Sequence, residues 1–172
     1  MEPKPSFENI ALEKVVLAQF TGKMVQRYYE WLQDPDIQRD TCTEGLSLEE
    51  VAGLMEVWAR PGVYTFIVCD KEKVRVGSEE EAMIGDLNLF VNEESVEVNL
   101  MVAEKEYRKL GIGREVVGFV EKFVREVLGL RRVVAKIGEN NVASIGLFKK
   151  MGFVEFERNT DFGELHFIKD LI

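Results

Sequence analysis

The sequence predicts a mixed α/β (α+β) fold, a single mostly antiparallel sheet of about seven strands with helices packed on both faces. Three observations carry that expectation. The runs Tyr64–Cys69, Met83–Val91 and Val96–Ala103 are β-prone and follow one another across acidic turns, as the strands of a meander do. The stretch Gly111–Leu128 then switches to helical period, with Val116, Val117, Val120, Phe123, Val124 and Val127 on one face, before a further short strand at Val133–Ile137. The chain has 172 residues, of which 46% are hydrophobic, 10% aromatic and 31% charged. That suits one domain, residues 1–172, with a sizeable core, and excludes disorder, collagen and coiled coil as its main state.

Taken in order, Glu13–Phe20 is β-prone, and Met24–Leu32 places Met24, Tyr28, Trp31 and Leu32 at helical spacing. Asp34-Pro35-Asp36 breaks that helix, since proline removes an amide donor and clashes with the turn before it. Ser47 followed three positions on by Glu50 is a capping pair; it opens a helix running to about Ala59, which Pro61-Gly62 ends. Glu79-Glu80-Glu81 and Glu93-Glu94 read as solvated loops flanking the strands of the meander. Gly129 ends the long helix, Ala143–Met151 is a helix stopped by Gly152, and Phe153–Phe156 and Glu164–Lys169 are the last strands. No repeat or proline-rich linker marks a domain boundary.

Twenty-two Lys and Arg against 31 Asp and Glu leave a net charge of −9. That sign opposes general attachment to nucleic acid or to an anionic membrane and suits a cationic partner. Cys42 and Cys69 form no Cys-x-x-Cys pair and His166 is the single histidine, a pattern that fits a reducing compartment and argues against a metal centre or a Ser-His hydrolase. His166, in the last strand, reads as a packed or surface histidine. No apolar run reaches the roughly 18 residues of a membrane span, and Met1-Glu2-Pro3-Lys4-Pro5 lacks a secretory apolar segment. A soluble cytoplasmic protein is the expectation, with nuclear residence left open.

The most informative stretch joins a strand to a helix: Arg108-Lys109-Leu110-Gly111-Ile112-Gly113-Arg114, an Arg-x-x-Gly-x-Gly loop after Met101-Val102-Ala103. Its glycines let the backbone turn tightly and approach a ligand, and the first amides of the following helix have no intrahelical acceptor, so they point at any anion placed there. Arg108, Lys109 and Arg114 add positive charge. The spacing lacks the Gly-Lys-Ser/Thr of a nucleotide P-loop and lies too late in the chain for a dinucleotide fold. About thirty residues on comes Asn141-Val142-Ala143-Ser144, then Phe148-Lys149-Lys150-Met151-Gly152-Phe153.

Together these two motifs resemble the GNAT superfamily of acetyl-coenzyme A-dependent N-acetyltransferases. The front of the chain is similar to the eukaryotic N-acetyltransferase 9-like subfamily in Arg27-Tyr28-Tyr29-Glu30-Trp31-Leu32, in Glu44 with Leu46-Ser47-Leu48-Glu49, and in Ile84-Gly85-Asp86-Leu87-Asn88-Leu89-Phe90. The resemblance implies a GNAT fold in which the fourth and fifth strands, here Val96–Ala103 and Val133–Ile137, splay apart to receive acetyl-CoA. Carried over by position, the edge at Met101, Val102 and Ala103 holds pantetheine and polarises the acetyl carbonyl. Residues Arg108, Lys109, Leu110, Gly111, Ile112, Gly113 and Arg114 hold the pyrophosphate, while Asn141, Ser144 and Phe148 face the coenzyme.

The acceptor has to react as a neutral amine. At pH 7 that costs about 4.6 kcal/mol for a lysine and only about 1 kcal/mol for an N-terminal amine. Glu97, and Glu44 in the acceptor region, are carboxylates able to take the proton directly or through water, and Asn88 is placed to orient the acceptor or a water. Tyr28 and Trp31 are candidates for the acceptor mouth. Phe148 stands where many GNAT enzymes carry a tyrosine that protonates the departing thiolate, so solvent, a water or Tyr107 must serve instead, or the module is idle. The resemblance implies a protein N-terminus as acceptor, with tubulin chains as the subfamily's substrate class. A polyamine or amino-sugar acetyltransferase, and a non-catalytic acetyl-CoA-binding module, remain as alternatives.

Overall fold

The computed structural model describes residues 8–172; Met1–Pro5, read above for a secretory segment, lie outside them. Its elements run β1 (Ile10–Ala11), β2 (Val15–Ala18), α1 (Val25–Leu32), α2 (Pro35–Thr41), α3 (Leu48–Trp58), β3 (Val63–Asp70), α4 (Lys71–Val76), α5 (Glu79–Ala82) and β4 (Met83–Val91). They continue with β5 (Val96–Val102), α6 (Ile112–Glu126), β6 (Arg132–Gly138), α7 (Val142–Lys150), β7 (Val154–Asn159) and β8 (Glu164–Asp170). The strands form one sheet in the order β1-β2-β3-β4-β5-β6-β8-β7. Every neighbouring pair is antiparallel except β5 with β6.

Successive side chains of a strand point to opposite sides of its sheet. Here both sides are apolar along the central strands, so both must be covered. Val15, Leu17, Phe66 and Val68 join a core built with α6, whose Ile112, Val116, Val117, Val120, Phe123 and Val124 are buried. At roughly 1.5–3 kcal/mol for each fully buried side chain, that one helical face contributes on the order of 10 kcal/mol of burial. Val16, Ala18, Ile67 and Cys69, the alternate positions, join a second core with Tyr28, Trp31 and Leu32 of α1, Ile37 of α2, and Val51 and Trp58 of α3. Around Tyr28 this core is an aromatic cage, with Phe20 at 5.5 Å and Trp58 at 5.4 Å between ring centroids.

The sheet has eight strands where about seven were expected, because the two-residue β1, ahead of the Glu13–Phe20 run, pairs with β2 across a turn. Asp34-Pro35-Asp36 does end the first helix, and it also starts the next. The Asp34 carboxylate accepts from the Asp36 amide while Pro35 fills the first helical position, where no donor is needed. Glu79-Glu80-Glu81 is likewise a helix rather than a loop, the acidic first turn of α5, capped by Ser78 and placed at the positive end of the helix dipole. The capping pair at Ser47 and Glu50 is present in both directions. Among the described residues no helix is long and apolar enough to cross a membrane.

Candidate active site at the parted strands

The geometry starts from one short parallel ladder. β5 and β6 pair only at Val96 with Val133 and Glu97 with Val134, after which β5 runs on to Val102 with its β6-facing edge unpaired. The expected splay is therefore present, between the strands here labelled β5 and β6. A bulge in β4 sits beside it: Val68 pairs with Gly85 but Cys69 pairs with Met83, which leaves Ile84 extra. Ile84 O accepts from the amides of both Ala103 and Glu104, at 2.9 and 3.2 Å. The bulge resets the alternation, so Ile84 and Leu87 share the first core and Asp86 is turned to the α1 side. A Cβ on Gly85 would fall onto the Met101 carbonyl oxygen, so only glycine lets the two backbones approach this closely.

At the end of β5, Lys105–Tyr107 makes a 3-10 turn and the chain enters α6 through two left-handed residues, Lys109 at φ 63° and Gly111 at φ 81°. The first bond of the helix runs from the Glu115 amide to Gly111 O at 3.1 Å, so the N–H groups of Ile112, Gly113 and Arg114 precede any helical acceptor. Leu110, Gly111 and Arg114 are exposed. Arg108 turns inward: its Nε donates to Val102 O at 3.0 Å and an Nη to Ala103 O at 3.4 Å, tying loop and strand into one piece. Lys14, in the turn between β1 and β2, was not singled out by the sequence. Its Nζ donates to Leu110 O at 2.9 Å and its amide donates to both oxygens of Glu115. The space a Cβ would need at Gly113 is filled by Leu147 of α7.

Across the slot, the Asn141 side chain caps α7, accepting from the Ser144 amide at 3.1 Å, and donates to Asp40 O of α2 at 3.1 Å. It thus fastens the α2 end to α7. Phe148 is buried in the first core, edge-to-face on Phe153 with centroids 4.9 Å apart. Tyr107, the other residue considered as proton donor, gives its hydroxyl to Asp70 at 2.6 Å; burial and that bond both raise its pKa.

On the α1 side of the sheet, Asp86 and Asn88 of β4 lie beside Met101, Asn99 and Glu97 of β5, with Asp86 directly across from Met101 and Asn88 from Asn99. Tyr28 donates its hydroxyl to Asp86 Oδ2 at 2.6 Å, Asn88 donates Nδ2 to the same oxygen at 2.9 Å, and Thr65 donates to Asn88 Oδ1 at 2.7 Å. Asp86 is 4% exposed, and burial lifts its pKa to about 6 against the pull of the two hydrogen bonds. Burial and the Asp86 carboxylate raise the Tyr28 phenol well above its ordinary value. Asn88 therefore orients Asp86, its amide being committed at both ends. Asp86 itself escaped sequence reasoning, for an acid within an apolar strand carries no periodic signal and its partner on α1 is 58 residues away.

Glu97 stands four residues from Met101, about 13 Å along the strand at 3.3 Å per residue, and its Oε2 pairs with Lys136 Nζ at 2.7 Å. The Glu97 carboxylate holds the Lys136 ammonium above its usual range. His166, opposite Lys136 on β8, bonds Glu157 through Nδ1 at 2.9 Å and Glu164 through Nε2 at 3.3 Å. Trp31 donates its indole N–H to Glu104 at 2.8 Å beside the Arg27 ion pair; burial opposes ionisation there, but Arg27 and Trp31 hold Glu104 below the ordinary carboxylate range. Trp31, Glu104 and Lys105 line an open cleft of about 690 Å³ at the end of β5. Glu44 is exposed in the segment between α2 and α3.

A slot between parted strands, next to a helix entrance with free amides, has the shape and the donors to suit an extended ligand ending in phosphate. The family described as "Acetyltransferase (GNAT) domain" matches residues 14–154. An N-acetyltransferase 9-like protein of Caenorhabditis briggsae is 37% identical, over 91% of this chain and 82% of its own length. Human alpha/beta-tubulin-N-acetyltransferase 9 is 36% identical, over 89% of this chain and 78% of its own length. The crystal structure of Vibrio cholerae spermidine N-acetyltransferase, in complex with CoA and spermine, shares the fold with a TM-score of 0.76 at 16% identity, covering 91% of this chain and 95% of that one.

Proposed function

The chain belongs to the GNAT acetyltransferase family, and from that premise we propose that it transfers acetyl from acetyl-CoA to the α-amine of a protein N-terminus. The observation that carries the reading is the unpaired edge of β5 opening beside the bare amides of the α6 entrance. In this reading the edge at Met101 and Val102 pairs with pantetheine, Ala103 closing its end with its amide held by Ile84 O, and an amide of that edge donates to the thioester oxygen, where charge grows as the amine attacks. The amides of Lys109 to Arg114 hold the diphosphate, with Lys109 and Arg114 supplying charge and Arg108 and Lys14 bracing the loop. Acetyl-CoA, once bound, supplies an activated acetyl group on a good leaving sulfur.

The acceptor comes in over the α1 and α2 side, past Tyr28 and Trp31. Glu97, paired with Lys136, takes the proton of the arriving ammonium through water. An α-amine suits this arrangement, because little free energy separates its ammonium from the reactive form at pH 7. The names of the relatives favour tubulin N-termini and a cytoplasmic setting. A second reading, a polyamine acetyltransferase, draws on the net charge of −9 and on the fold shared with a spermidine enzyme.

Coenzyme A release and product mass, measured with tubulin-type N-terminal peptides, lysine peptides and spermidine, decide between them. Acetylation of α-amines first is the expected result, and spermidine as the preferred acceptor would replace this reading by the second. Binding of acetyl-CoA without release on any amine would leave a non-catalytic module. Glu97→Gln is expected to lower kcat at least about tenfold with coenzyme affinity kept; unchanged turnover would remove Glu97 from the role.

A further inference from the structure

The reaction moves two protons, and the reading above places one. The first leaves the ammonium before attack and goes to Glu97. The second leaves the nitrogen once it has bonded to carbon, while the departing sulfur needs a proton of its own. Phe148 has none to give and is sealed in the first core, and Tyr107 is bound to Asp70.

Among the described residues Asp86 is the one buried carboxylate. A structural tie for Tyr28 needs only a neutral acceptor, whereas a buried charge is disfavoured unless it is used. Both of these hydrogen bonds, from Tyr28 and from Asn88, fall on Oδ2. The ladder sets Asp86 across from Met101, and side chains so paired have Cβ atoms about 4.5–5.5 Å apart. Met101 belongs to the edge that takes the thioester end of the coenzyme in the reading above. Asp86 thus lies across the ladder from that edge, on the side from which the amine comes in this reading.

We propose that Asp86 is a catalytic residue that carries the second proton from the attacking nitrogen to the departing sulfur. The step rests on the acetyl-transfer reading, and it balances without a co-reactant. The nitrogen–carbon bond forms, the proton passes from nitrogen to Oδ1, the carbon–sulfur bond breaks with its electron pair going to sulfur, the proton passes on to sulfur, and the carboxylate is restored. The groups around Asp86 suit a shuttle. Tyr28 faces it from α1, Asn88 from its own strand with Thr65 of β3 behind, and Met101 from β5; on the same side of the sheet Arg27 pairs with Glu104 at the end of β5 and Glu97 pairs with Lys136. Burial without a cationic partner leaves a carboxyl near 6, which neither traps the proton nor refuses it.

The test is the pH profile of kcat for wild type, Asp86→Asn and Tyr28→Phe, joined to an NMR titration of the Asp86 carboxyl in the free protein and to thermal melts. Wild type should lose activity on acidification with a midpoint near 6. Asp86→Asn should fold, keep coenzyme affinity by calorimetry, and lose at least about 100-fold in kcat together with that limb. Tyr28→Phe removes a bond to the carboxylate, so the carboxyl titration and the acid limb should move upward together. Asp86→Asn within about threefold of wild type, or a Tyr28→Phe variant whose carboxyl moves while its limb stays, would overturn the proposal. Failure of wild type to release coenzyme A with any amine would instead sink the acetyl-transfer reading itself.

Discussion

Under α6 the buried side chains of the sheet are apolar, Phe66, Leu87, Val98 and Phe167 among them, whereas under α1 to α3 it sets Asp86 and Asn88 among Ile67, Met83 and an aromatic cage. In the proposed reaction the two sides have different work. The α6 side grips an anion chiefly with main-chain amides and leaves the helix free to pack an apolar face, and the α1 side takes the cationic amine and its protons, for which a buried carboxylate serves. The bulge at Ile84 joins the two designs, because it decides which side Asp86 faces.

The sharpest break of the comparison is Gly85→Val. It strikes the backbone contact with Met101 that both sides share, and should cost at least about 4 kcal/mol in chemical denaturation; a loss below about 1 kcal/mol would mean the two strands are not in this contact. Next comes the pH dependence of Asp86→Asn. A carboxyl raised from 3.8 to about 6 by burial is a folded-state group that binds its proton more readily than the unfolded chain does. Its ionisation therefore costs stability above about pH 6, by up to about 3 kcal/mol, and that cost vanishes below the unfolded value. The variant should gain on wild type as pH rises from 4 to 8, and a flat difference between their denaturation curves over that range would place the charge in water.

Phe148→Tyr tests the apolar side. The added hydroxyl enters the packing on Phe153 and should cost about 1–3 kcal/mol in a thermal melt, with no rise in kcat. A gain in kcat would put the ring at the reacting sulfur. The smallest effect belongs to Gly111→Val, since a β-branched residue resists the φ of 81° and crowds Lys14. Coenzyme affinity by calorimetry should weaken about tenfold, beside a loss of about 1 kcal/mol in the melt from the strained backbone, and equal affinity would refute the phosphate loop.

The α6 side was largely legible in the chain itself. Helical period placed α6 within two residues of its ends, and the glycine spacing located the loop, because both signals are local. The strands of the meander were placed to within about one residue by their apolar runs. On the α1 side local signals placed α1 and α3 but not all of their neighbours. Neither α2 nor α4 was expected, since a Pro after Asp34 reads as a break and the cap at Asp70 ends a strand as well as starting a helix. The bonds from Tyr28 to Asp86, from Lys14 to Leu110 and from Asn141 to Asp40 each join positions 58 or more apart, and only the folded topology brings them together.

The two-rung parallel ladder at Val96 and Glu97 makes the sheet a pair of leaves, β1 to β5 and β6 to β8, joined in register at one short seam. A thioester cofactor lying along β5 is then a non-protein strand that closes the leaves. Its arrival should slow amide exchange at Val98–Val102 and make both leaves melt as one body, so that catalysis and mechanical integrity draw on the same row of hydrogen bonds.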